Sequence, residues 1–273
     1  MIDALQYDFM QNAVFAGLLA SVACGIIGVY VVVNRLVFIG GGISHTAFGG
    51  IGLGYYFDIS PIMGALYFTV AASLGIGFLT RKSRLAEDTV IGIMWAMGMA
   101  LGILFIGLAP GYAPDLMSYL FGSILTVSDS DLILMAILDA VIVVVVVALF
   151  KEFLARSFDE EFGMVVGVPV QAIYYLFLVM IALTVVMLIQ VVGVILVIAL
   201  LTIPAAIARQ FTYNIKKMMG LAIFFGVVIT FFGLWLSYEL DVASGATIIL
   251  FGSGLLFLVL GLSRLIERMR DVK

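Results

Sequence analysis

The sequence predicts an all-α, polytopic membrane helical bundle, and three observations carry that expectation. Of 273 residues, 64% are hydrophobic and only 11% charged, against roughly a quarter charged in a soluble domain. Apolar runs of about 20 residues recur along the chain, the length an α-helix needs to cross hydrocarbon. All 13 Lys and Arg residues fall in alternate connections between those runs, the sorting by which helical membrane proteins orient. Period-two alternation over ten-residue segments, the mark of a transmembrane barrel, is absent. The loops leave no room for a large soluble unit, so residues 1–273 read as one transmembrane domain.

About nine spans are expected, at roughly 11–33, 36–57, 61–80, 89–108, 131–150, 170–190, 192–208, 217–237 and 245–263. Arg35, then Arg81, Lys82 and Arg84, then Lys151 and Arg156 lie on one side. Arg209, Lys216 and Lys217 join them, as do Arg264, Arg268, Arg270 and Lys273. The opposite side carries acids: Asp3, Asp8, Asp58, Asp115, Asp129, Asp131, Glu239 and Asp241. The positive-inside rule then places the N-terminus outside and the C-terminus in the cytoplasm. The first residues, MIDALQYDF, lack the basic region of a cleaved signal peptide. The single Cys24 excludes an intrachain disulfide and a cysteine-rich metal site.

The second span is the chemically unusual one. It holds seven glycines between Gly40 and Gly54 and the only histidine, His45. At 1.5 Å per residue, His45 lies within roughly 3 Å of the middle of a span running 36–57. An ionisable group at that depth is costly and ordinarily marks a substrate path. A hydrogen bond to a neighbouring helix is the structural alternative. Gly41, His45, Gly49 and Gly52 recur at i, i+4, i+8 and i+11, a single stripe that either packs a neighbouring helix closely or lines a narrow path. In the fifth span Asp139 lies about 12 Å inward of Asp131, paired across the bundle or facing a watery cavity.

Two connections are more than turns. On the acidic side, 109–130 contains an apolar segment, 115–126, too short to span; it is expected as a short helix, at the interface or dipping toward a cavity. On the basic side, 151–170 reads KEFLARSFDEEFGMVVGVPV. Ser157 with Glu160 has the pattern of a capping box, and Asp159, Glu160 and Glu161 suit the positive end of a helix dipole. Phe158, Phe162, Val165 and Val166 form one apolar face, which Gly167 and Pro169 terminate. A helix lying on lipid usually carries Lys and Arg on its polar face. This one carries three acids, which favours docking on a protein partner.

Soluble-enzyme signatures are missing. No Gly-x-x-x-x-Gly-Lys-Ser/Thr phosphate loop is present. One histidine and one cysteine cannot build a catalytic zinc site of histidine ligands, and no basic face interleaved with aromatics suggests nucleic acid.

Three stretches carry a resemblance. GLLASVACGIIGVYVVVNRLVFIGGGISHTAFGG (17–50), SFDEEFGMVVGVPV (157–170) and LTVVMLIQVVGVILVIALLTIPAAIARQFT (183–212), the last joined by SYELDVASGATIIL (237–250), resemble the membrane permease subunits of zinc/manganese ABC importers. The resemblance implies a fold like the permeases of vitamin B12 and siderophore importers, in the cytoplasmic (inner) membrane. It implies a homodimer of permeases, two copies of a cytoplasmic ATP-binding subunit, and an extracytoplasmic substrate-binding protein. ATP hydrolysis would belong to the partner, so this chain would be no enzyme. No cofactor would be held permanently; a divalent metal, zinc or manganese with iron as a further candidate, would be the cargo. The segment 151–170, through Phe158, Asp159, Glu160, Glu161, Phe162 and Gly167, would couple to the ATPase. His45 would be a transient metal ligand or gate, with Ser44 and Thr46 as secondary polar groups and Gly41, Gly49 and Asp139 along the path. One position departs from the family pattern: where the family has an Asp one turn before the histidine, this chain has Gly41. Two alternatives remain open: a permease of the same fold for another small ligand, and an ion-gradient-driven secondary transporter using Asp139.

Overall fold

Each long apolar run becomes a helix, because in hydrocarbon every backbone N–H and C=O must be satisfied within the segment. The structure, a computed structural model, describes residues 6–110, 122 and 124–271. The helices are α1 (Asp8–Val33), α2 (Val37–Tyr56), α3 (Pro61–Lys82), α4 (Glu87–Leu108), α5 (Asp129–Ala148), α6 (Phe150–Phe158), α7 (Glu160–Val165), α8 (Val170–Phe211), α9 (Ile215–Leu240) and α10 (Ser244–Asp271).

Seven segments are long and apolar enough to cross a membrane: α1, α3, α4, α5, the Val170–Ile189 part of α8, α9 and α10 up to Leu265. The twenty-residue α2 and the shorter apolar stretch Val197–Phe211 stand at the two other expected positions. The break expected between the sixth and seventh spans is one residue: Gly193, at φ 73° and ψ 169°, leaves helical geometry and divides α8. Three other connections turn through a left-handed residue, Arg35, Asp58 and Asp241. Such turns let successive helices follow each other with only three or four linking residues.

The helices fall into two packed groups that share α8. In one, α2 lies between α3 and α4 and also touches α8. In the other, α1 packs against α5, α8 and α9, while α10 lies on α8 and α9. Glycines set the distances in the first group. A Cβ added at Gly50 would stand 2.7 Å from the Ala65 Cα of α3, and one at Gly52 would stand 2.8 Å from the Gly102 Cα of α4. Without a hydrophobic drive between helices in lipid, this close backbone contact is what holds α2 in place.

Two local expectations are corrected. Ser157 is not a helix cap. It lies inside α6, where its hydroxyl donates to the Phe153 carbonyl at 2.8 Å and accepts from the Asn34 amide at 3.1 Å. Asp159 caps instead, its carboxylate accepting from the Phe162 N–H at 2.8 Å, so the expected helix 158–166 is the end of α6 followed by the separate α7. A full capping box does occur at the head of α5, between Ser128 and Asp131, where Asp rather than Glu completes it. Most of the expected segment 115–126 lies outside the described residues; its end is a 3₁₀ turn, Ile124–Thr126, with Ile124 buried.

Candidate functional site

The α2–α4 seam positions His45. The Thr46 hydroxyl lies 2.6 Å from the Gly42 carbonyl of its own helix and 3.1 Å from the Met94 carbonyl of α4. One donor is thus shared between two helices, and the next residue of α4 is Trp95. The Trp95 indole stacks on the His45 imidazole with centroids 4.0 Å apart and planes 10° from parallel. His45 is half-buried, and its Nδ1 is buried without a hydrogen-bond partner. A buried ring nitrogen that no described residue bonds keeps its capacity to donate or accept one hydrogen bond.

One turn earlier, Gly41 shares this face. A Cβ there would meet the Ile198 side chain of α8, with Cγ1 at 2.9 Å, and the Trp95 ring edge at 3.8 Å. Ile198 therefore fills the space a carboxylate at position 41 would need. Among the described residues no group of three or more His, Cys, Asp or Glu could hold a metal ion.

The other expected path residues are placed differently. The Ser44 hydroxyl is fully buried and donates to the Gly41 carbonyl at 2.8 Å, and Thr46 serves the α2–α4 seam. A Cβ added at Gly49 would press on the Phe68 ring and stand 3.0 Å from the Gly98 carbonyl oxygen. All three contacts lie within α2 or between α2 and its neighbours α3 and α4. Asp139 is 6% exposed on α5, with Oδ1 unpartnered, in the electrostatic neighbourhood of Cys24 on α1. Because α5 packs on α1 and α8 while α2 packs on α3, α4 and α8, the structure does not bring Asp139 to His45.

The basic end holds a second constellation. In α7 the side chains of Phe162, Met164 and Val165 are 58–83% exposed, as is Phe158 at the end of α6. The helix closes with Gly167 at φ 84°: its N–H donates to the Met164 carbonyl at 3.2 Å, and the Val168 N–H donates to the Gly163 carbonyl at 2.9 Å. That double bond pattern satisfies the last carbonyls and turns the chain into α8.

Behind this uncovered face the segment is tied to four helices. Asn34, which caps the C-terminal end of α1, donates to Ser157, and Tyr30 of α1 packs on Phe153 with centroids 5.4 Å apart. Arg81 of α3 makes an ion pair with Glu160 at 2.9 Å. The Arg81 and Arg156 guanidiniums lie 4.7 and 4.6 Å from the centre of the Tyr174 ring of α8. Burial lowers the pKa of Arg156 from its ordinary value, and the guanidinium Nε has no hydrogen-bond partner. The ring contact, worth about 0.5–2 kcal/mol at such sites, is what faces it. The Tyr174 hydroxyl in turn donates to Glu87, in the first turn of α4, at 2.9 Å. Sequence reasoning missed Trp95, Glu87 and Tyr174 and counted Arg81 and Arg156 only as orienting charges. The one signal available was a Trp inside a span, which packing alone also explains.

A family described as the ABC 3 transport family matches residues 6–263. An uncharacterized membrane protein of Synechocystis sp. is 53% identical over 253 residues, covering 93% of this chain and 90% of the relative. The manganese transport system membrane protein MntC of Listeria monocytogenes is 38% identical over 255 residues, covering 93% and 90%. Among solved structures, PsaBC from Streptococcus pneumoniae in complex with Fab is similar at a TM-score of 0.85 and 33% identity, covering 94% of this chain and 93% of that one.

Proposed function

The chain belongs to the ABC 3 transport family, and from that premise we propose that it is the transmembrane permease subunit of an ABC importer for a divalent metal. Manganese and zinc come first as cargo and iron after them. The observation that carries the reading is His45: a half-buried imidazole in the membrane, held under Trp95, with a ring nitrogen that makes no hydrogen bond among the described residues. The permease lies in the cell membrane, and ATP hydrolysis belongs to a separate subunit.

The sorted charges support an external N-terminus and a cytoplasmic C-terminus, so α6 and α7 face the cytoplasm. There the exposed Phe158, Phe162 and Val165 offer an apolar platform for the ATP-binding subunit. A pair of ATPases calls for a pair of permeases. The uncovered face of α4, with the small residues Gly92, Ala96 and Ala100 in line, suits close contact with a second copy. The acidic outer face would receive the substrate-binding protein.

The mechanism follows from what is tied to what. Closure of the ATPase dimer displaces α7. The Arg81–Glu160 pair passes that movement to α3, and the Tyr174–Glu87 bond passes it to α4. Helix α4 carries Trp95, so the indole shifts over His45 and the seam opens alternately to either side. His45 meets the ion transiently. With Gly41 in place of a carboxylate and Ile198 filling the space, this chain alone provides no chelate. A step that must release its cargo is served by such weak holding. Asp139 stands apart from this path.

The test is uptake into proteoliposomes holding the permease with its ATPase and binding protein. Manganese or zinc should enter only when ATP is supplied to the ATPase side. Uptake driven by a membrane potential without ATP would make the protein a secondary transporter instead.

A further inference from the structure

At the cytoplasmic end of the bundle a groove of about 660 Å³ runs between α5 and α9, floored by Ile26 of α1 and rimmed by the start of α6. Its two ends differ in chemistry. The deep end is aliphatic, with Val143 and Val147 of α5 beside Ile26, on helices that cross hydrocarbon, where no soluble partner reaches. The mouth carries two exposed cations, Lys151 and Lys216, against one carboxylate, Glu152.

The positive end is under-compensated. Among the described residues no carboxylate pairs with Lys151 or Lys216 at ion-pair distance. The Lys216 ammonium lies 4.9 Å from the centre of the Phe150 ring, which draws it over the groove. It sits in the first turn of α9 with Lys217 beside it, where the helix dipole already adds positive potential. An anion at this mouth would be favoured by both lysines and by the helix end.

We propose that this groove holds an anionic phospholipid of the cytoplasmic leaflet, with an acyl chain along Val143 and Val147 and the phosphate between Lys151 and Lys216. An apolar slot opening to lipid beneath a pair of lysines matches both parts of such a molecule. A second copy of the chain fits less well, since a two-fold contact through this patch would set the lysines against themselves. The site lies at the α5–α6 corner from which α7 extends, so the bound lipid braces the segment that receives the ATPase. Only the choice of leaflet rests on the topology proposed above.

The test is native mass spectrometry of the full-length permease in complex with its ATPase, incubated with phosphatidylglycerol or phosphatidylcholine of identical acyl chains. The wild type should retain phosphatidylglycerol in preference to phosphatidylcholine. Each lysine near the membrane surface contributes roughly fivefold to anionic-lipid binding, so Lys151→Gln with Lys216→Gln should cut retention by roughly tenfold or more. The Lys151→Arg, Lys216→Arg pair should retain it, and millimolar inorganic phosphate should not displace it. Equal retention of both lipids, or unchanged retention in the glutamine variant, would overturn the proposal. So would displacement by inorganic phosphate, which would mark a free-anion site, or a changed number of permease copies in the glutamine variant, which would make the groove a subunit contact.

Discussion

His45 and Trp95 lie ring on ring, 4.0 Å between centroids and 10° between planes, across the seam of α2 and α4. The stack fixes the imidazole plane from one side and leaves Nδ1 without a protein partner. The Thr46–Met94 contact sets the register that makes the stack possible. An ion path gated here depends on a contact between residues 50 positions apart.

The missing carboxylate at position 41 can be tested by restoring it. Gly41→Asp alone should destabilise the protein, because its Cβ would press on Ile198, and overpacking costs about 1–3 kcal/mol. Combined with Ile198→Ala, the same change should fold and set a carboxylate one turn from the imidazole. Calorimetric titration of the purified permease should then show divalent-metal affinity raised by roughly tenfold or more. No gain would mean that this face does not meet the cargo.

The Arg81–Glu160 pair is expected to act in coupling rather than in stability. Its side chains are 31% and 46% exposed, and pairs this open contribute about 0–1 kcal/mol. Arg81→Glu and Glu160→Arg should each leave the melting temperature nearly unchanged while lowering the metal moved per ATP hydrolysed. The double reversal should recover it. Coupling ratios that ignore both single reversals would remove the pair from the relay.

Phe162 tests the docking platform. The residue is 59% exposed, so Phe162→Ser should fold normally. Truncating an aromatic anchor at the centre of an interface costs about 2 kcal/mol or more. Pull-down of the ATPase subunit at graded concentrations should show an apparent Kd weakened by roughly tenfold or more.

Gly50 and Gly107 make a matched pair for stability. A Cβ at Gly50 enters α3, 2.6 Å from the Phe68 Cβ, whereas one at Gly107 meets nothing within 4 Å among the described residues. Gly50→Val should abolish the folded permease in membranes, and Gly107→Ala should leave its abundance unchanged. Quantitative immunoblotting of membrane fractions decides this.

The spans were legible because hydrocarbon imposes a length on each helix and the lysines and arginines sort by side. His45 drew notice because it is the only histidine in the chain and falls mid-span; its stack on Trp95 of α4 left no mark on the α2 stretch. The glycine stripe was not legible, since the same spacing serves a path and a helix contact; the structure sets Gly49 and Gly52 against Gly98 and Gly102 of α4 and Gly41 against Ile198 of α8. The cap at Ser157 failed for a similar reason. Ser157 and Asp159 both satisfy a capping pattern with an acid or amide nearby, and the choice was made by Asn34, a residue 123 positions away at the end of α1. The Arg81–Tyr174–Glu87 cluster joins α3, α8 and α4 and leaves no mark on any one stretch of sequence.

The most direct test of the account is simultaneous measurement of ATP hydrolysis and manganese or zinc uptake by the reconstituted complex, wild type against His45→Ala. The Thr46–Met94 contact and the α2 glycines still hold the seam when the imidazole is removed, so the variant should form the complex and keep its basal ATPase activity. Losing one ligand contact worth about 1.5–3 kcal/mol should lower metal uptake by roughly one to two orders of magnitude. Uptake equal to wild type in the variant would place the metal path elsewhere in the protein.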